Sequence, residues 1–259
     1  MKKNFIFKFL ISFVFIFQNP TLGEGTIKFV SLSPALTEIM YAIGAEDMLQ
    51  GVSNSCTYPK EAQNKEKIGD SYFINDEKII KIKPDYILAL DSSEFALNKF
   101  KRVGITPICF KYPNIESIHE NIIAVGKLTG KEENAIKVVE ESERKIAKIR
   151  VEKPKKILYL VQSTPMITVG KNSFITDLIK KSGNISITAE VNSYYPTINV
   201  EYALKQAPDI IVLSNFTEYK SLEKFFPNTK VVVVPDNIND IINRPGPRIY
   251  EAVKFFAEL

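Results

Sequence analysis

The feature that most constrains this chain is an internal repeat. Glu77 is followed seven residues later by Pro84-Asp85-Tyr86-Ile87-Leu88, and Glu201 seven residues later by Pro208-Asp209-Ile210-Ile211-Val212, an offset of 124 positions. At the same offset Ile105-Thr106-Pro107-Ile108-Cys109 matches Thr229-Lys230-Val231-Val232-Val233 in type and place. Near it, Lys28-Phe29-Val30-Ser31-Leu32 parallels Lys156-Ile157-Leu158-Tyr159-Leu160, each a short apolar run after a basic residue. A register shared by several segments points to two copies of one supersecondary unit.

Within each copy, apolar strands alternate with amphipathic helices, which predicts an α/β protein with parallel sheets. The first copy reads as strands near 27–32, 49–53, 86–90 and 106–110, with helices near 34–43, 76–82, 93–103 and 115–128. The second reads as strands near 156–161, 186–189, 210–213 and 230–234, with helices near 172–181, 200–206, 219–225 and 247–257. Between them, Ala135, Val139, Ser142, Ile146 and Ile149 form one narrow stripe at helical spacing, in a segment without glycine or proline until Lys153-Pro154. This predicts a bridging helix over 131–152, a rod of about 31 Å at 1.5 Å per residue. The expected organisation is a leader at 1–23, a first lobe at 24–130, the bridge, and a second lobe at 153–259.

The leader is read from Lys2 and Lys3, the apolar run Phe9–Phe17, and the small-residue cleavage site Thr21-Leu22-Gly23. That run is shorter than the roughly 20 residues a membrane-spanning helix needs. An exported, soluble protein is expected, periplasmic in a cell with two membranes. Removing Lys2, Lys3 and Lys8 turns 34 basic against 30 acidic residues into 31 against 30, a net charge of +1. Such a protein lacks the broad basic footprint that nucleic acid or anionic lipid requires. With one histidine and two cysteines, zinc clusters and Ser-His-Asp hydrolases are disfavoured. Cys56 is expected just after one edge strand of the first lobe and Cys109 at the end of the opposite edge strand, three strand spacings or roughly 14 Å apart, and therefore both as free thiols.

Several segments in order carry a resemblance: Phe29-Val30-Ser31-Leu32-Ser33-Pro34-Ala35-Leu36-Thr37-Glu38, Gly51-Val52-Ser53, Tyr58-Pro59, Glu77 with Lys83-Pro84-Asp85, Val169-Gly170-Lys171, and Gly246-Pro247-Arg248-Ile249. The chain resembles the class III periplasmic solute-binding proteins of ABC importers, which serve cobalamin, haem and ferric siderophores, and is most similar to the cobalamin-binding branch. The resemblance implies two α/β lobes bridged by one long rigid helix, no catalysis and no resident cofactor. The implied partners are an inner-membrane permease and a small metal chelate. It also implies that Glu77 and Glu201, one per lobe, dock on the permease. Each lies in a first helical turn behind Asn75 or Asn199 as N-cap, where an acidic residue also favours the helix dipole.

The ligand is expected between the lobes, on loops after the strands. Ser33 as N-cap and Pro34 at the first helical position start a helix whose free N–H groups suit an oxygen acceptor. Tyr58, Tyr72, Tyr194 and Tyr195 fall on these loops and offer aromatic faces to a flat chelate. Tyr195-Pro196 aligns with an aromatic–proline pair of the cobalamin-binding branch. Ser71 stands where that branch has a stacking tryptophan, and Asp91 follows a second such position at Leu90. Tyr72 is also a candidate phenolate ligand for ferric haem. Arg244 is a partner for an anionic chelate, Asp240 an acceptor for ligand amides, and Arg248 belongs to the following helix. His119 is read as a solvated, structural histidine away from the cleft. A monomer is expected. The competing readings are a periplasmic chelatase or esterase, for which no nucleophile–base pair is visible, and a receptor for a bare metal ion.

Overall fold

The computed structural model describes residues 27–70, 73–214 and 219–259. The expected leader, Ser71 and Tyr72 lie outside the described residues. The first lobe contains β1 (Phe29–Ser31), α1 (Pro34–Ala42), β2 (Leu49–Val52), β3 (Glu66–Lys67), α2 (Asp76–Ile82), β4 (Tyr86–Leu90), α3 (Glu94–Lys101), β5 (Thr106–Phe110) and α4 (Ile115–Thr129). Its strands form one sheet in the order β3-β2-β1-β4-β5, parallel throughout. Helix α5 (Glu132–Ile146) leads to the second lobe: β6 (Lys156–Gln162), β7 (Ile167–Thr168), α6 (Phe174–Lys181), β8 (Ile185–Ser186), α7 (Val200–Gln206), β9 (Ile210–Leu213), α8 (Lys220–Glu223), β10 (Lys230–Val233), α9 (Asp236–Asn243) and α10 (Ile249–Ala257). The second sheet runs β10-β9-β6-β7, with β8 also pairing β6. The two sheets are separate, and the protein is a two-lobed α/β structure.

The duplication holds down to single hydrogen bonds. The Asn75 side chain accepts from the Lys78 N–H at 3.0 Å and Asn199 from the Tyr202 N–H at 2.8 Å, each capping a seven-residue helix. Both helices stop on a left-handed residue, Lys83 at φ 49° and Ala207 at φ 48°. Asp85 Oδ2 then accepts from the Lys28 N–H at 2.8 Å, and Asp209 Oδ2 from the Lys156 N–H at 2.7 Å. In each copy the Pro-Asp pair thus ties the end of a helix to the start of the central strand.

Three expectations need correction. The second sheet is not wholly parallel: β7 runs antiparallel to β6. The Gln162 amide donates to the Thr164 carbonyl at 2.6 Å, folding the chain back into a hairpin whose second strand has two residues, too few to show a periodicity. Helix α9 was not expected, because its Asp and Asn residues are weak helix formers. Burial of Ile241 and Ile242 outweighs that preference. Helix α5 ends at Ile146, short of 152, for a length of about 22 Å. Arg150 Nη1 donates to the carbonyls of Ala147 and Ile149 at 2.6 Å each, and the chain turns there.

The stripe residues Ala135, Val139 and Ser142 are buried as expected. Helix α5 packs on both α4 of the first lobe and α10 of the second. The approach to α4 is close because position 126 is glycine: a Cβ there would lie 2.5 Å from Ala135 Cβ. One apolar core runs from Phe29, Ile39 and Leu88 of the first lobe through Val139 to Tyr159, Leu178 and Phe256 of the second. The Ile115 N–H donates to Asp177 Oδ2 across the lobe boundary at 2.9 Å. His119 is also corrected: it is buried, 7% exposed, in the α4–α5 contact, with Nε2 3.2 Å from Ser142 Oγ and Nδ1 3.5 Å from Glu143. Cys56 and Cys109 are free thiols, and β2-β1-β4-β5 gives the three spacings expected, but β2 is not the edge strand it was expected to be: the two-residue strand β3 pairs outside it.

Candidate ligand-binding site

A cleft of about 410 Å3 opens between the lobes. The first lobe contributes Asp91 and Ser92, at the carboxyl end of β4, and Tyr112, just beyond β5. The second contributes Ser173 and Phe174 at the start of α6, and Tyr194 and Tyr195. Tyr112 and Phe174 meet edge to face across the boundary with ring centroids 6.0 Å apart, an arrangement favoured by the aromatic quadrupole.

Backbone bonds hold the tyrosine pair. The N–H groups of Thr168 and Gly170 donate to the carbonyls of Pro196 and Tyr194, and those of Lys171 and Asn172 to Val191 and Ser193. The loops come this close because residue 170 is glycine. A Cβ there would lie 2.4 Å from the Ser193 carbonyl oxygen and 2.8 Å from that of Val191. The sequence thus places a side-chain-free residue where the loop bearing Tyr194 and Tyr195 must lie flat against β7 and the turn after it.

Among the described residues that line the cleft, Asp91 is the only formally charged one. Burial pushes the Tyr112 phenol well above its ordinary range, and the Asp91 carboxylate pushes it further. Burial likewise raises Tyr195, opposed by a hydrogen bond with Ser173. The wall therefore presents phenols, hydroxyls and one carboxylate. Among the described residues, no three His, Cys, Asp or Glu side chains gather where they could hold one metal ion.

Of the expected ligand residues, Asp91, Tyr194 and Tyr195 come together in this cleft. Tyr58, Asp240 and Arg244 gather elsewhere, around Glu38 of α1. Glu38 is 3% exposed. Arg248 donates to it twice, Nε to Oε2 and Nη2 to Oε1, both at 2.8 Å, and Arg244 Nη1 donates to Oε1 at 3.3 Å. Arg244 also pairs with Asp240 at 2.8 Å and donates to Thr57 Oγ1 at 3.1 Å. The Arg248 guanidinium lies 3.7 Å from the Tyr58 ring centroid. Two cations from the second lobe thus meet one buried anion and one ring of the first, so Arg248 links lobes rather than serving its helix alone. Ser33 is buried and makes no side-chain cap bond; Pro34 opens α1, and the Gly246 turn packs against the adjacent Ala35. Glu77 and Glu201 lie on the exposed faces of α2 and α7.

Ser92, Tyr112, Ser173 and Phe174 of the cleft, and Glu38 of the arginine cluster, were not among the expected site residues. Tyr112 was findable, since it follows a strand at its carboxyl end. Glu38 was signalled by its place among Leu36, Ile39 and Met40 in one helix.

The profile of the periplasmic binding protein family matches residues 29–232. The chain belongs to this family. An ABC transporter substrate-binding lipoprotein of Bacillus subtilis, YvrC, is 30% identical over 93% of this chain and 82% of its own length. The crystal structure of the periplasmic vitamin B12 binding protein BtuF of Vibrio cholerae superposes with a TM-score of 0.73 at 26% identity, covering 89% of this chain and 95% of that one. The periplasmic haem binding protein HutB of Vibrio cholerae shares the fold, with a TM-score of 0.76 at 20% identity over 90% of this chain and 98% of its own. The family membership fits two lobes with a cleft between them. Among the described residues no helix is long and apolar enough to cross a membrane.

Proposed function

We propose that this periplasmic binding protein captures a metal chelate in the inter-lobe cleft and delivers it, unaltered, to the inner-membrane permease of an ABC importer. The observation that carries the reading is an aromatic-lined gap between the lobes, fed by loops beyond β4 and β5 on one side and the Tyr194–Tyr195 loop on the other. Flat cargo is gripped by ring faces and oriented by a few polar groups. Asp91, Tyr194 and Tyr195 are the proposed contacts, joined by Tyr112 and Ser92. Tyr58, Asp240 and Arg244 belong to the Glu38 cluster, which ties the lobes together. Glu77 and Glu201 are the docking glutamates, and the mature protein works in the periplasm as a monomer.

Among chelates, a corrinoid suits this wall best. The charges of Arg244 and Arg248 are already met by Glu38 and Asp240. Asp91 and the phenols favour amide donors over the carboxylates of haem or the anionic groups of ferric siderophores. The similarity to the vitamin B12 binding protein of Vibrio cholerae supports the same choice. Titration of the mature protein with cobalamin, haemin and a ferric siderophore panel, followed by visible absorbance, tests this directly. Cobalamin is expected to bind below about 10 µM, roughly −7 kcal/mol, and to be recovered chemically intact. Tighter haemin than cobalamin binding overturns the corrinoid choice, and no binding of any chelate overturns the function. Replacing both Glu77 and Glu201 with alanine is expected to leave chelate affinity unchanged and abolish uptake.

A further inference from the structure

The repeat reaches the molecular surface. Every residue from 73 to 85 has the same degree of exposure as its counterpart 124 positions later, so α2 and α7 turn equivalent faces to solvent. Each face shows a carboxylate and, one helical turn on, a large aliphatic side chain: Glu77 with Ile80, Glu201 with Leu204. Ile80 is 48% exposed and Leu204 47%. Beside Glu77, Asp76 is paired with Lys99 and Lys78 with Glu66, whereas Glu77 and Glu201 have no ion pair among the described residues.

A single exposed aliphatic side chain is ordinary on a protein surface. Here two occupy the same register of a duplicated unit, each three positions from an unpaired carboxylate, where helix geometry makes them neighbours. The interior of each helix explains neither, because the inward positions are Ile79 and Ala203, both buried.

We propose that Ile80 and Leu204 are the apolar anchors of the permease-docking face, and that the partner is a two-fold membrane assembly presenting in each half a basic group beside an apolar depression. The inference rests on the delivery function above and deepens it. The two kinds of residue divide the work. Exposed carboxylates steer encounter and set the salt dependence of association. An aliphatic side chain that leaves water on contact sets the lifetime of the complex. Two matched patches on one chain suit a partner with matched halves.

The test uses the mature protein and its cognate permease–ATPase complex in nanodiscs, read by surface plasmon resonance. The double variant Ile80→Ser/Leu204→Ser is expected to dissociate about tenfold faster or more, as loss of central apolar contacts does. Its association rate, circular dichroism and chelate affinity are expected to match wild type. The pair Ile80→Leu/Leu204→Ile is expected to restore the lifetime. Glu77→Ala/Glu201→Ala is expected to slow association and flatten its salt dependence. If the serine pair dissociates like wild type while the glutamate pair fails to dock, the anchor proposal falls and delivery through the glutamates stands. If both pairs dock normally, the docking reading falls as well. Val103→Ser alters an aliphatic side chain 58% exposed on another loop. An equal loss from that change, or a wild-type dimer that the serine pair dissolves, also overturns the proposal.

Discussion

Glu38 is the residue on which most of the inter-lobe charge converges. Its side chain is 2% exposed and takes three hydrogen bonds from two arginines of the opposite lobe. Taking such charges from water is costly, and the pairing offsets that cost only while every member is present. Glu38→Ala strips Arg248 of its carboxylate partner and leaves Arg244 only Asp240, and a loss of about 3 kcal/mol in stability is expected, measured by urea unfolding. A loss near zero would show that the cluster is relaxed or hydrated. His119 supplies a pH dependence. Burial lowers its pKa, the Glu143 carboxylate opposes that, and nearby Lys181 adds to it. The unfolded chain, with an imidazole pKa near 6.5, therefore binds a proton that the folded protein refuses. Stability is expected to fall as pH drops through about 6.5, and to stop falling on this account below the folded-state value. His119→Gln removes that slope; an unchanged profile of melting temperature between pH 7.5 and 5.5 would contradict it.

At the scale of elements, short helices carry the matched surface faces and depend on their ends. Helices α2 and α7 have seven residues each, too few to be stable alone in water. Their asparagine caps matter accordingly. Asn75→Ala and Asn199→Ala are each expected to cost about 1 kcal/mol, and the sites, on different lobes with no shared partner, are expected to add. Strong non-additivity in chemical denaturation would contradict that independence. The loop bearing Tyr194 and Tyr195 depends on Gly170 in another way. Gly170→Ala forces a methyl group against the Ser193 carbonyl, with a cost of about 1–3 kcal/mol in overpacking. It is expected to weaken chelate binding as the tyrosines shift. Unchanged affinity would mean the loop adapts without moving its rings. Much of this level was legible in the chain: both asparagine caps, the repeated Pro-Asp pairs and the stripe on α5. Hairpin β7 and helix α9 were not, because a two-residue strand has no period and the helix is held by burial against its intrinsic preference.

For the whole molecule the consequential fact is a core that ignores the lobe boundary. Helix α5 packs between α4 and α10, and one cluster of buried side chains includes residues from both sheets. Lobes joined this way are expected to unfold together. Calorimetry and tyrosine fluorescence should report one coincident transition; two separated transitions would mean that the shared core contributes little. The same packing limits how far the lobes swing, so only a small change in radius of gyration is expected when chelate enters the cleft, measured by small-angle X-ray scattering.

What the sequence determined by itself is whatever depends on neighbours in the chain. The doubled unit, the strand and helix alternation, the caps and the glutamates 124 positions apart are local patterns, because periodicity and capping act over a few residues. Tertiary structure decided which side chains meet. It drew Asp91 and Tyr195 to one cleft with Tyr112, diverted Arg244 to Glu38, and buried the histidine that looked solvated. Charge pairing and burial depend on distances between segments far apart in sequence, and only the packed lobes supply those distances.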